Sequence, residues 1–305
     1  MVKPDILVEL EPVVARNLDR HLSIAKEWMP HEYVPWEEGR DFVEQPWHPD
    51  QSRLSPEARI ALEVNLLTED NLPSYHREIA NRFGRDGAWG TWVGRWTAEE
   101  GRHAMCIRDY LLVTRALDPD QLEAERMAVM QAGHHSERLG AVRSLAYVSF
   151  QELATRIAHR NTGRFVNDPI ADQLLGRVAA DENLHMVFYR SLVSAALEID
   201  PSETVRAIID EITSFAMPGT MIPNFTRKSL VIARSGIYNL RIHHDEVVRP
   251  LLKHWRLFDI EGLDAEAEKA REELAVHLEL LQVQAERQQD RFHTAAARRR
   301  DRKPS

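Results

Sequence analysis

The chain has 305 residues, enough for a large core, and its 43% hydrophobic and 29% charged content is ordinary for a water-soluble globular protein. A formal charge of -9 argues against general nucleic-acid binding, and the single cysteine, Cys106, rules out an internal disulfide or a zinc–thiolate cluster and fits a reducing, cytoplasmic setting. Met1–Leu10 carries Asp5 and Glu9 and is not read as a secretory signal, no apolar run approaches the roughly 20 residues of a membrane span, and no phosphate-cradling glycine motif points to a nucleotide cofactor.

Almost every long segment has helical periodicity. A first helix is expected over Leu7–Leu22, followed by an ordered loop rich in Pro, Trp and His over Met29–Pro49. Ser55-Pro56 is a capping residue with proline at the first helical position, and the helix it opens is expected to run to about Phe83. Gly84-Arg85-Asp86-Gly87 breaks the pattern before a helix over about Trp89–Leu117. Asp118-Pro119 opens a shorter helix ending near Gly133, and a long one follows over about Glu137–Asn161, stopped by Gly163. Asp168-Pro169 starts a helix to about Ile199, and Asp200-Pro201 another to about Phe215. Met217–Asn224 is a connector to further helices. From Leu263 to about Arg291 a charged helix presents Ala267, Ala270, Leu274, Leu278 and Leu281 on one side. The end, with Arg298, Arg299, Arg300, Arg302 and Lys303, reads as a basic disordered tail. The expectation is an all-α protein with one helical domain over 1–260 and a C-terminal helix and tail over 261–305.

The faces these helices should bury carry the chemistry. One ladder reads Trp89, Trp92, Trp96, Glu100, His103, Ile107, and another Ala171, Leu175, Val178, Glu182, His185, Tyr189. Each apolar stripe is interrupted by Glu and His three apart, which share a helix face. Two further stripes, Leu62-Leu66-Glu69-Leu72 and Leu145-Val148-Glu152-Thr155, each hold a glutamate where a leucine is expected. A bare carboxylate in a core is costly unless it is neutralised, paired or bound to metal. Glu69 precedes Glu100 by 31 positions and Glu152 precedes Glu182 by 30, so the pattern Glu…Glu-x-x-His occurs twice. That is the arrangement of a four-helix bundle holding two metals. Four carboxylates balance two divalent ions with both imidazoles neutral, and a carboxylate–imidazole set without thiolate suits iron or manganese.

These residues also resemble the soluble acyl-acyl carrier protein desaturases, especially actinobacterial members, over about Leu7–Phe258. The matching stretches are Thr68–Tyr75, Trp96–His103, Ser149–Thr155 and Ala180–His185. The resemblance implies a ferritin-like di-iron four-helix bundle elaborated with additional helices, its six ligands falling on Glu69, Glu100, His103, Glu152, Glu182 and His185. It departs from the family at Gly101, usually Asn, and at Asn183-Leu184, where plant members have Lys-Arg. It implies O2-dependent removal of two hydrogens from adjacent methylenes of a fatty acyl chain on acyl carrier protein, with two Fe ions, electrons from a ferredoxin-type donor, and a homodimer.

The resemblance gives further residues their roles. Thr155 falls near the oxygen site, although a core threonine bonded to its own helix is the competing reading. Asp181 corresponds to a carboxylate that orients a ligand histidine. Trp28 and Trp96 correspond to tryptophans on an electron route, and Trp96 serves equally as core. Pro73 removes the amide that would bond the Glu69 carbonyl, kinking the helix there. His134-His135 and His243-His244 read as surface histidines, and Arg227-Lys228 or Arg20 with Lys26 as contributors to a basic patch for the acidic carrier. The alternatives are a hydroxylase or N-oxygenase on the same site, or an iron-handling protein. A storage protein is expected to be shorter and to build a cage, so the helices beyond Pro218 speak against it.

Overall fold

The computed structural model describes residues 5–133 and 140–300, the last six by backbone alone. Among the described residues there is no strand, and no helix is long and apolar enough to cross a membrane. The expected starts are built from the expected chemistry. The Ser55 hydroxyl accepts from the Ala58 amide and opens α2 (Pro56–Glu69). Asp118, Asp168 and Asp200 cap α5 (Pro119–Ala132), α7 (Pro169–Ile199) and α8 (Pro201–Ser214), each with proline at the first position.

Three boundaries differ from expectation. The helix opened by Ser55 does not reach Phe83: α2 ends at Glu69 and α3 (Leu72–Phe83) restarts after Asp70-Asn71. Pro73 cannot donate to the Glu69 carbonyl, and its ring disfavours helical backbone just before it, so the chain breaks where a kink was expected. Gly163 does not stop its helix, because α6 (Ala141–Val166) runs through it and ends at Asn167 in the left-handed conformation. There the glycine permits close approach, since a Cβ would lie 3.2 Å from the Asp172 Cα of α7. The C-terminal helix, α12 (Ala265–Arg300), carries the backbone of Arg298, Arg299 and Arg300. Arg302, Lys303, His134-His135 and the expected helix start at Glu137 lie outside the described residues.

The ligand-bearing elements are α2, α4 (Gly87–Val113), α6 and α7, with α6 and α7 packed along their length. α1 (Ile6–Ile24) lies on α4 and α7, α3 on α4 and α6, and α9 (Phe225–Arg234) on α2. α8 packs on α6 and α7, and α12 covers α8 through the fully buried Ala267 and Leu274. Two large apolar clusters result, with a small third one around Val64, Leu67, Val129 and Ile222. Along α4, Trp89, Trp92, Val93 and Trp96 join one, and Ala104, Ile107, Tyr110 and Leu111 the other. Along α7, Leu174, Leu175 and Val178 join the second, and Met186, Phe188, Tyr189 and Leu192 the first. The Glu-x-x-His turns of both helices therefore form a charged layer between two dry cores.

His243-His244 are not surface residues. α10 (Leu240–Ile242) passes through a π-helical turn, His243–Val248, into α11 (Arg249–Trp255). The wider turn shifts the side-chain phase, so a 3.6-residue period misplaces both. His244 is buried, while His243 stacks on Phe215 at 4.9 Å and its Nδ1 lies 2.9 Å from the Tyr238 hydroxyl. Lys228 is not available to a carrier protein: it lies 3.1 Å from Glu63 and 2.8 Å from Glu125, tying α9 to α2 and α5.

Candidate metal centre

All six expected ligand residues are buried and converge. Glu69, Glu100, His103 and Glu182 offer ligand atoms within 4.8 Å of one another, as do Glu100, Glu152, Glu182 and His185. The two groups share Glu100 and Glu182, which gives each potential ion one terminal glutamate, one histidine and two bridging carboxylates. Histidine Nδ1 atoms face the centre in both. His103 Nδ1 lies 3.6 Å from Glu69, 3.3 Å from Glu100 and 3.5 Å from Glu182. His185 Nδ1 lies 2.8 Å from Glu100, 3.6 Å from Glu152 and 3.9 Å from Glu182.

The donor atoms fit a metal pair. Glu100 Oε1, Glu152 Oε2, Glu182 Oε2, His103 Nδ1 and His185 Nδ1 are all buried without a hydrogen-bond partner. Orphaned buried polar atoms are costly, and a cluster of them faces the shared centre, although others lie elsewhere in the fold and His185 Nδ1 stands 2.8 Å from Glu100 Oε1. Electrostatics agree. Burial and the neighbouring Glu100 and Glu152 push the Glu182 carboxyl well above its usual range. Burial opposes charge on His103 and His185, yet the surrounding carboxylates outweigh it and raise both well above an ordinary imidazole. The cluster demands positive charge, which two divalent cations supply.

The outer nitrogens face carboxylates in a crossed arrangement, hydrogen-bonded for His185 and by proximity alone for His103. His103 Nε2, on α4, lies 3.5 Å from Asp181 of α7. His185 Nε2, on α7, lies 2.9 Å from Glu99 of α4. Each of these carboxylates immediately precedes the shared glutamate on its own helix and faces the histidine of the other. Burial pushes the Asp181 carboxyl up, but His103, Trp28 and Arg177 hold it at about 2. Burial likewise opposes charge on Glu99, while His185 and His21 hold it well below the carboxylate range. The Trp28 indole donates to Asp181 at 2.7 Å and stacks over His103 at 6.4 Å, with the Arg102 guanidinium 5.0 Å from its ring. On the other side His21 Nε2 is 2.9 Å from Glu99, and Arg95 donates to Glu99 at 2.7 Å.

Trp96 donates to Glu152 Oε1 at 3.1 Å, so it is both packed and hydrogen-bonded to a ligand residue. Thr155 lies one turn beyond Glu152, and its hydroxyl bonds the carbonyls of Gln151 and Glu152, each at 3.1 Å. His159, Glu99 and His21 are not identified from the sequence. The signal for Glu99 was present in the duplication, since an acidic residue precedes both bridging glutamates. A cleft of about 80 Å³ between α3, α4 and α6 reaches Glu69 and Glu100. Tyr75, Ile79, Phe83, Trp96, Tyr147 and Val148 form its largely apolar walls, with Glu78, Arg82 and Ser144 also lining it.

The sequence model of the family described as fatty acid desaturase matches residues 2–303. The chain is 49% identical to DesA1 of Mycobacterium tuberculosis, named as an acyl-(acyl-carrier-protein) desaturase, over 97% of this chain and 90% of that one. It is 32% identical to the chloroplastic stearoyl-(acyl-carrier-protein) 9-desaturase of Gossypium hirsutum, over 89% of this chain and 74% of that one. Among solved structures, the X-ray structure of DesA2 from Mycobacterium tuberculosis H37Rv, described as an acyl-ACP desaturase, matches with a TM-score of 0.70 at 31% identity. That match covers 84% of this chain and 96% of DesA2.

Proposed function

The chain belongs to the fatty acid desaturase family, and from that membership we propose that it is an O2-dependent desaturase forming a cis double bond in a saturated acyl chain carried on acyl carrier protein. The observation that carries the reading is the sharing of Glu100 and Glu182 by two four-residue groups, each suited to one ion. We assign Glu69 and His103 as the terminal ligands of one iron and Glu152 and His185 as those of the other. Iron, bound there, supplies the O2-derived oxidant that an unactivated C–H bond requires, because no side-chain base can remove such a hydrogen. In the overall balance O2, two electrons, two protons and two substrate hydrogens become two waters and one C=C bond.

The chain's own residues do the positioning. Ile79, Phe83, Tyr147 and Val148 offer an apolar channel that excludes water and lays one pair of methylenes beside the ligand cluster. Glu99 bonds the His185 ring, and Asp181 faces the outer nitrogen of His103. Trp28, bonded to Asp181 and stacked over His103, is suited to pass electrons from a ferredoxin-type donor. Thr155, its hydroxyl proton directed at its own helix, has only lone pairs to offer O2 chemistry. A homodimer in the cytoplasm completes the proposal, on the strength of the resemblance.

The test is to load the protein with iron, reduce it chemically, and add O2 with acyl carrier proteins bearing different saturated chains. Loss of two hydrogens by mass spectrometry is expected. Gain of an oxygen atom instead makes it a hydroxylase, and binding of fewer than two irons overturns the assignment.

A further inference from the structure

The internal duplication extends past the ligands. Glu69 and Glu152 are each followed, seven positions on, by a histidine, His76 and His159. On an unbroken helix that places the histidine two turns along the same face. α6 is unbroken, and the buried His159 turns its Nε2 to within 2.7 Å of Glu69 Oε1 and 3.8 Å of Glu182 Oε1. In the first copy the chain breaks at Asp70-Asn71, the phase changes, and His76 instead places Nδ1 2.8 Å from the Thr97 hydroxyl. The two terminal carboxylates are thus held differently. Glu69 has an imidazole on one oxygen, and Glu152 has the Trp96 indole.

We propose that His159 is a positioning residue for Glu69: it occupies Oε1 and leaves Oε2 to face the metal. The inference rests on the dinuclear reading above. A carboxylate with both oxygens free can turn or chelate, whereas one oxygen engaged by a buried N–H is fixed. Such a bond to an ionised acceptor is short and strong, and in a low-dielectric core it resists exchange with water. Oε2 of the same carboxylate is the oxygen 3.6 Å from His103 Nδ1. Glu69, and not Glu152, also lines the apolar cleft. His159 therefore restrains the terminal ligand of the ion that borders the acyl chain.

The experiment is a stepwise cobalt(II) titration of the metal-free full chain against a competing chelator, read by visible absorption, with thermal melting of each metal-free variant as the folding control. The wild type is expected to bind in two resolved steps. His159→Leu removes the donor at similar size and should weaken one step by about 10–100-fold, the range for loss of a ligand-orienting partner, and leave the other unchanged. His159→Gln keeps an N–H donor and should restore that step. If the leucine variant does not fold, His159→Ala makes the same comparison. With two wild-type steps, failure of either to move, or equal weakening of both, overturns the role of His159 alone. A wild type that binds fewer than two ions overturns the dinuclear reading and this inference with it.

Discussion

Glu99 adjoins Glu100 on α4, yet its carboxylate bonds His185 on α7 at 2.9 Å. Asp181 mirrors it, adjoining Glu182 on α7 and facing His103 on α4 at 3.5 Å. Each helix thus carries one of the two shared glutamates and a carboxylate that faces the opposite histidine.

This crossing predicts which ion each helper supports. Glu99→Gln should weaken the ion held by His185 and Asp181→Asn the ion held by His103, each by about tenfold, at the low end for outer partners because the amides still accept. Chelator competition on the single and double variants checks it. Loss of the same step in both single variants would contradict the crossed arrangement.

The cleft between α3, α4 and α6 should set acyl chain length. Val148 and Ile79 line it. Val148→Trp fills part of the channel, and one methylene in an apolar pocket is worth about 1–3 kcal/mol. The preferred substrate should shift to shorter chains while two irons still bind. Product analysis over a series of acyl carrier proteins of differing chain length reads the shift directly.

His243 predicts a pH dependence remote from the metal. Burial, with His244 beside it, lowers its pKa from 6.5 to about 4. A depressed folded-state value means stability is present above the unfolded pKa and is lost as pH falls from about 6.5 towards 4, by at most about 3 kcal/mol. His243→Gln should flatten that part of the stability–pH curve. Urea denaturation of both proteins between pH 7 and 4, read as a difference, isolates the group from other titrating residues.

Gly163→Ala sets two effects against each other. Alanine in a helix interior is favoured by about 1 kcal/mol. Its Cβ would meet Arg160 Nη1 at 3.0 Å and the Asp172 Cα at 3.2 Å. The arginine tip can move, but the α7 backbone cannot without disturbing the longest helix contact in the bundle, and overpacking costs about 1–3 kcal/mol. A lower melting temperature is expected, and an unchanged or higher one would mean that the α6–α7 contact yields.

The clustering of six candidate ligands was legible because a glutamate or histidine on an otherwise apolar stripe is conspicuous at a 3.6-residue period. All six converge as the ladders imply. Asp-Pro and Ser-Pro starts were equally legible, since their capping bonds are local. What was not legible depends on phase or on distant neighbours. The break at Asp70-Asn71 and the π-helical turn at His243–Val248 each change phase, which separated His76 from its expected face and hid the burial of His244. Glu99 and His159 acquire their roles only when another helix comes alongside. Lys228 looked like surface charge until α5 brought Glu125 to it.

The charged layer between two apolar cores has a consequence for the life of the protein in a cell. The layer joining the two cores holds carboxylates whose mutual repulsion bound cations would relieve. Ions that bind the folded chain and not the unfolded one add to its stability in proportion to the logarithm of their free concentration. Metal supply would then govern how much of this protein survives turnover as well as how fast it works, and scarcity would thin its population before it slowed any single molecule.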